Sequence, residues 1–366
     1  MSRYFYYHIM LVALLNLMLF VPHILIRYRF HGALTSMALS VVIGTGLCLM
    51  FTSIMCKFPG QGLPEILKQF LPRSVMLPFM LFMAIMWIIG PSIAVVTYAV
   101  LINRFINPDT SPLLVLVLLC AVCLYAATRP TMTIIFLIEM GIVLNLPLIM
   151  FILFKAVRSD AINWDAIHTV ANYWTQMPKW NAIGAASYIF TGYVSMAIYN
   201  RTMPPNVRIR HRWTIPLIGM LVLGLTFFVP IGFHGTETVD DYLYVWSLTA
   251  DSMVMNYGFI ERVIFVFLIM YLNLTLIYTA SGWHQAIEFL KGLAKDYKPD
   301  IDSVPMKRAG MLIGAAIVAA TVLYLYLFNE KITFELSEYW LGFRLIVEIG
   351  TVAFLFILVR RGKTRS

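Results

Sequence analysis

Apolar residues along this chain fall into ten runs, at about 4 to 26, 34 to 56, 75 to 103, 113 to 128, 131 to 154, 183 to 200, 213 to 233, 258 to 281, 309 to 328 and 344 to 359. Each comes close to the roughly 20 residues that a helix needs to cross a bilayer core. None shows the alternation over about ten residues that marks a barrel strand. The pattern predicts an all-α polytopic membrane protein, ten transmembrane helices in one domain spanning 1–366. The first run is followed by no small-residue cleavage site and reads as a retained span.

Breaks in the pattern predict where helices end or bend. Asn16 and Pro22 interrupt the first run, and a proline in lipid needs neighbours that satisfy the carbonyl it frees. Between the second and third runs, KFPGQGLPEILKQFLPR supplies a turn at Pro59, Gly60 and Gly62, and Pro64 suits the start of a short interfacial helix. Gly90-Pro91-Ser92 predicts a kink in the third run, and Thr128-Arg129-Pro130 a tight hairpin after the fourth. The segment 155–181 carries Trp164, Trp174 and Trp180, as an interfacial loop or helix does. At the middle of the sixth run, Thr191-Gly192-Tyr193 is either an unwinding point or a close helix contact through a small residue. WHQAIEFLKGLAKDYK, after the eighth run, places Ile287, Leu290 and Leu293 on one face and predicts a helix on the membrane surface. Gly310 and Gly314 form a small-x-x-x-small face.

Composition agrees: 60% of residues are hydrophobic and 12% charged, against about 45–50% and 25% in soluble domains. The net charge of +9 is explained by topology. With the amino terminus inside, 18 of the 27 lysines and arginines lie on the inner side, eight on the outer, and Arg262 within a run. The positive-inside rule then puts both termini in the cytoplasm, with anionic lipid as the partner of the excess charge and no role for nucleic acid. The four cysteines lie in or at the ends of apolar runs, so no secreted disulfide framework is implied. Cys120-x-x-Cys123 within one span, without a second ligand pair, reads as packing and not a metal site.

Ionisable residues in lipid cost roughly 2.5–3.5 kcal/mol each on insertion scales and therefore face a bundle interior or a wet cavity. Three qualify. Glu139 lies a third of the way along the fifth run, followed by Asn145 and Pro147. The adjacent Glu261 and Arg262 open the eighth run, behind a loop whose formal charges, Glu237, Asp240, Asp241 and Asp251, are all negative. Each carboxylate reads as a coupling site. The other readings are a structural pair between Glu139 and Arg262, and a Glu261-Arg262 pair that snorkels to the interface.

No G-x-x-x-x-G-K-[ST], H-E-x-x-H, G-x-S-x-G or strand-borne G-x-G-x-x-G is present. The sequence points away from an ATP-driven pump or a hydrolase, and calls for no cofactor.

IGFHGTETV, VWSLTADSM, YGFIERV and the WH after the eighth run resemble the membrane-embedded B subunit of endospore nutrient-germinant receptors, the GerAB-type spore-germination family in the amino acid-polyamine-organocation superfamily. KFPGQGLPEIL resembles that family's turn after the second span. The resemblance implies a LeuT-like fold of two inverted five-helix repeats, about 1–155 and 183–360. Helices one and six would be discontinuous beside a cavity at the membrane midplane. It implies a sensor of a small nutrient, typically an amino acid, in the spore inner membrane, working with an A subunit and a lipoprotein C subunit. A proton-coupled amino-acid symporter is the alternative, with Glu139 or Glu261 carrying the proton. The expected ligand site lies between spans one and six at Asn16, Tyr188, Thr191, Gly192 and Tyr193, with Tyr98 and Tyr271 as walls. Pro22, Glu139, Glu261 and Arg262 are the expected coupling residues. In its first span the chain has LLNLMLFVP where such transporters usually place glycines.

The topology carries a direct expectation. Single cysteines at Asp241 and Ser366, in a background free of native cysteines, should label from opposite sides of the membrane; labelling from the same side would overturn the ten-span arrangement.

Overall fold

The computed structural model describes residues 2–16, 18–204, 209, 211–254, 262–294, 297, 299, 301 and 308–363. Among these residues eight helices are long and apolar enough to cross a bilayer. They are Ala33–Met55 (span 2), Arg73–Phe105 (span 3), Thr131–Val157 (span 5), Trp180–Thr202 (span 6), Thr214–His234 (span 7), Val263–Lys291 (span 8), Arg308–Leu327 (span 9) and Glu330–Lys363 (span 10). Span 1 is a pair of helices, Ser2–Asn16 and Phe20–Arg27, bent by 57° at the break. The fourth run forms the shorter apolar helix Pro112–Ala127, labelled span 4. At 1.5 Å per residue it is about 24 Å long, short of a bilayer core of about 30 Å. Among the described residues, eight helices, or nine with the bent pair, are therefore long enough to cross where ten were expected. The predicted hairpin at 128–130 joins span 4 to span 5, and Leu63–Phe70 is the predicted short helix after span 2, with Pro64 in its first turn.

Span 1 breaks without a glycine. Asn16 closes the first half, its Nδ2 donating to the Val12 carbonyl at 2.7 Å, and Leu19 leaves helical geometry at φ −108°, ψ −104°. Pro22 falls in the first turn of the second half, where its missing N–H costs no intrahelical bond.

Span 6 runs through the middle of the bundle and is buried from Ala182 to Arg201. Its central eight residues, Tyr188–Ser195, wind as a 3-10 helix. The local sequence YIFTGYVS explains this, because Ile189, Thr191 and Val194 are β-branched and Gly192 is a weak helix former, so α-winding has little intrinsic support. The turn tightens where unwinding was one expectation, and the other expectation is met at the same residue. A Cβ on Gly192 would run into the backbone of span 1 at His8 and Ile9. Similar close approaches surround the helix. Gly44 of span 2 and Gly219 of span 7 leave room for the Phe190 ring. Gly184 faces Gly342 of span 10, with 2.8 Å from its would-be Cβ to the Gly342 Cα. Serines complete the seam: Ser40 Oγ donates to the Ile183 carbonyl at 3.0 Å, and the Lys179 N–H donates to Ser36 Oγ at 3.0 Å. These are the small and hydroxylic contacts on which helices rely where lipid removes the hydrophobic drive to associate.

Span 8 lies against spans 3, 4 and 5. Its limits correct two expectations. It starts at Val263, so Arg262 stands before the helix, 64% exposed, with Asp251 at 3.5 Å; it does not face the bundle interior. Glu261 lies outside the described residues. At the other end the helix continues to Lys291, and Trp283 to Phe289 are buried. This segment is the last two turns of a span and not a surface helix, because both of its faces meet protein: Trp283 Nε1 donates to Ser92 Oγ at 3.1 Å, and His284 Nδ1 lies 2.9 Å from the Ala127 carbonyl oxygen. Span 10 likewise starts 14 residues earlier than the apolar run at 344, which places Arg344 and Glu348 well inside it. Cys120 and Cys123 are buried in a satellite apolar cluster with Trp283 and Ile287, as packing groups.

The glycine seam is testable. Gly184→Val should lower the midpoint of thermal unfolding by several degrees, since overpacking costs about 1–3 kcal/mol. Gly46→Val, whose Cβ would meet nothing within 4 Å, should leave the midpoint nearly unchanged.

Candidate functional site

The 3-10 segment of span 6 presents Tyr188, Thr191 and Tyr193 to a narrow cavity of about 50 Å³. Span 3 supplies Met83, Met86 and Trp87 to its wall, and span 10 supplies Trp340, Arg344 and Glu348. A second, smaller cavity of about 10 Å³ lies at the break of span 1, lined by Leu15, Asn16, Leu19 and Phe20 with Gly90 and Ser337. Tyr188, Tyr278 and Trp340 border both. The two tyrosine hydroxyls are hydrogen-bonded to each other. Trp340 stands edge-on to the Tyr188 ring at 5.5 Å. The three side chains thus form a partition between the compartments.

Arg344 organises the larger compartment. Its Nη1 donates to Thr191 Oγ1 and to Glu348 Oε1 at 2.8 Å. Its Nη2 donates to Ser187 Oγ at 2.6 Å and to the Gly184 carbonyl at 3.0 Å. The guanidinium also lies over the Tyr188 ring, 4.9 Å from its centroid, a cation–π arrangement strengthened by desolvation. The second carboxylate oxygen of Glu348 accepts from Tyr193 Oη at 3.3 Å. Arg344 Nε has no hydrogen-bond partner. Both charged residues are buried, and their spacing of four residues on one helix makes the pair possible.

The expected site residues divide into three groups. Tyr188, Thr191 and Tyr193 line the larger cavity and Asn16 the smaller one. Gly192 is turned to the backbone of span 1. Tyr98 and Tyr271 meet each other, ring centroids 5.2 Å apart, with Tyr98 Oη donating to the Leu268 carbonyl at 2.7 Å; they pack between spans 3 and 8 and line neither cavity. Of the coupling residues, Pro22 begins the second half of span 1. Glu139 pairs with Arg3 at 3.0 Å and not with Arg262. Sequence reasoning missed Arg344 and Glu348. Their signal was an arginine and a glutamate four residues apart at the edge of an apolar run, hidden because the run was taken to begin at 344.

The ends of the bundle are tied by ionic networks. Where span 1 finishes, Glu338 of span 10 accepts from Arg27 Nη1 at 3.0 Å, from Tyr28 Oη at 2.8 Å and from Asn181 Nδ2 at 2.6 Å. Burial, and then the Glu338 carboxylate, push the Tyr28 phenol above its ordinary pKa. Arg29 reaches the acidic loop, 3.1 Å from Asp240. At the opposite end Arg201 of span 6, with a side chain 0% exposed, bonds Glu65 at 2.8 Å and Glu288 at 2.5 Å, and Lys291 adds a contact to Glu288 at 3.2 Å. Beside it Asn200 Nδ2 donates to the carbonyls of Met55, Phe58 and Gln61 at 2.7–3.2 Å.

Neither a protein-family model nor a curated protein matches the chain. Among solved structures it is similar to Mhp1, a nucleobase-cation-symport-1 family transporter, in a closed conformation with bromovinylhydantoin bound. The TM-score is 0.56 at 12% identity, over 94% of this chain and 74% of that one. At that identity the likeness is one of fold. The chain is an all-α, multi-pass membrane protein with a LeuT-like fold.

The two end networks differ in burial, and so in expected cost. Arg201→Ala leaves Glu288, 1% exposed, without its main counter-charge and should destabilise by about 3–5 kcal/mol. Arg27→Ala removes an arginine 51% exposed and should cost at most about 1 kcal/mol. Thermal unfolding in detergent separates them.

Proposed function

We propose that this chain binds a small solute in the cavity beside Thr191, Tyr193 and Arg344 and works as a secondary transporter. The observation that carries the reading is the placement of that buried cavity between two ionic networks, each joining span 6 to other helices at opposite ends of the bundle. Alternating access requires such an arrangement: a site near the middle, and contacts at each end that can open in turn. The Arg27–Glu338 and Arg201–Glu288 networks are the proposed closures. An apolar wall with few convergent polar groups suits a solute having one polar head and a compact apolar body, and an amino acid fits that description.

A second reading is favoured by HGTETV, VWSLTADSM and the WH of span 8. In it the chain is the B subunit of a spore germinant receptor in the spore inner membrane. Solute bound in the same cavity would shift the bundle between two packings read by an A subunit and a lipoprotein C subunit. A ligand moves such an equilibrium only through its different affinity for the two states, so either reading requires the same site.

The deciding experiment is a binding screen of the twenty amino acids, simple sugars and nucleosides on purified protein, followed by uptake into proteoliposomes of whichever binds. Uptake supports the transporter; binding without uptake supports the receptor. Thr191→Val and Tyr193→Phe each remove a cavity hydroxyl and should weaken binding by about 0.5–1.5 kcal/mol, roughly two- to tenfold. Wild-type affinity in both variants would move the site elsewhere in the bundle.

A further inference from the structure

Apart from Glu330, Glu335 and Glu338 in the first turns of span 10, three carboxylates within the spans have distinct surroundings. Glu139 is held by Arg3 near the start of span 1, and Glu288 is enclosed by Arg201 and Lys291. Glu348 lines the larger cavity. Its partner Arg344 lines the same cavity and has donors committed to Ser187, Thr191 and the Gly184 carbonyl on span 6, while Nε is left without an acceptor.

We propose that Glu348 is the proton-binding group of this cavity, and that its protonation readies Arg344 for an anionic group on the solute. The inference rests on the reading of the cavity as the solute site. The step is a proton transfer alone. A proton from water reaching the cavity binds a carboxylate oxygen of Glu348, and the Arg344–Glu348 ion pair is lost. Arg344 keeps its charge, so the pair goes from neutral to singly positive. A carboxylate on the solute restores neutrality, with the idle Nε–H as one of its donors. Proton and anion therefore bind with positive linkage, each raising the affinity for the other by the same factor. Arg344 is also the main polar tie between span 10 and the 3-10 turn of span 6. Glu348 is a second tie, accepting from Tyr193 Oη of span 6 at 3.3 Å. Protonation removes the charge that strengthens this bond, which loosens span 10 against span 6 and opens the cavity.

The groups that face Glu348 do not supply a competing charge. Besides Arg344 on its own helix they are Tyr188 and Tyr193 of span 6 and Cys48 of span 2, with Tyr278 of span 8 near Arg344. Phenols and thiols carry little charge near neutral pH. Span 3 presents Met83, Met86 and Trp87 to the cavity, none of which titrates.

The test uses no ligand. Met83 of span 3 lines the cavity and is buried. A single cysteine there, in the full chain freed of its four native cysteines and reconstituted in liposomes, reports opening through its rate of reaction with a small neutral thiol reagent. Glu348→Gln and its parent are compared at each pH as a ratio of rates, with the reporter on a different helix from residue 348, so that the ratio is not set by the effect of a carboxylate one turn away on the thiol. The variant should react roughly tenfold faster than the parent at high pH, as loss of a charged hydrogen bond implies, and the ratio should fall towards one as pH drops. Glu348→Asp should keep the parent's pH dependence. A ratio of one throughout, or a ratio independent of pH, overturns the proposal. Should Glu348→Gln fail to fold, the parent's reactivity relative to an exposed control cysteine at Trp174 must rise as pH falls, or the proposal is wrong. Failure of the solute reading shows separately, as absence of binding in the screen with the labelling result intact.

Discussion

The grip of Arg344 on span 6 is the interaction on which the centre of the molecule depends. A guanidinium buried at mid-bundle is expensive unless its donors are met. Here four acceptors are supplied by Gly184, Ser187, Thr191 and Glu348. Three of the four belong to span 6 and bracket the point where α-winding passes into 3-10. The sequence YIFTGYVS weakens the helix locally, and the arginine of a neighbouring span satisfies the carbonyl and hydroxyls that cluster there. Neither feature suffices by itself. The Gly184–Gly342 approach is what lets spans 6 and 10 come close enough for the side chain to reach.

Around this centre the charges are ordered by depth. Arg201 and Glu288 are almost completely enclosed, whereas Arg27 is half open. In low dielectric a pair resists being pulled apart far more than it does beside water. If spans 1 and 10 separate at one end and spans 6 and 8 at the other, the two movements have different costs. The network at the finish of span 1 is the cheaper to open, because water already reaches one of its members. On the proposed transporter reading, this inequality would set a preferred direction of opening before any solute is present.

The apolar helices were legible in the sequence because hydrocarbon imposes its own length and polarity on every segment that crosses it. Of the ten expected, eight are long enough among the described residues, and the bent pair of span 1 makes a ninth. The break in span 1 could be placed between Asn16 and Pro22 from residue chemistry, and Thr191-Gly192-Tyr193 marked the irregular turn of span 6. Partners were not legible. Glu139 and Arg262 were the conspicuous charges within apolar runs, yet the first finds Arg3 and the second stands before its helix with Asp251. An apolar run records where charges are absent. It does not record helix ends, since spans 8 and 10 both continue as helices into more polar sequence once other helices cover them. For that reason WHQAIEFLK reads as a surface helix by its pattern and is buried in fact, and Arg344 with Glu348 was taken for the margin of a span.

The same reasoning bears on the likeness to a transporter at 12% identity. Identity this low leaves the helix order and packing in common without requiring shared side chains at the cavity. In this chain the span 1 break is made by Asn16, Leu19 and Pro22 instead of glycines, and the polar groups of the larger compartment come chiefly from spans 6 and 10. With Asn16 Nδ2 directed back to its own helix at Val12, span 1 offers the smaller compartment chiefly the apolar groups of Leu15, Leu19 and Phe20. The charge that can hold a polar solute head therefore lies on span 10. A solute seated there lies against the Tyr188–Tyr278–Trp340 partition, so any movement of Arg344 changes both compartments together.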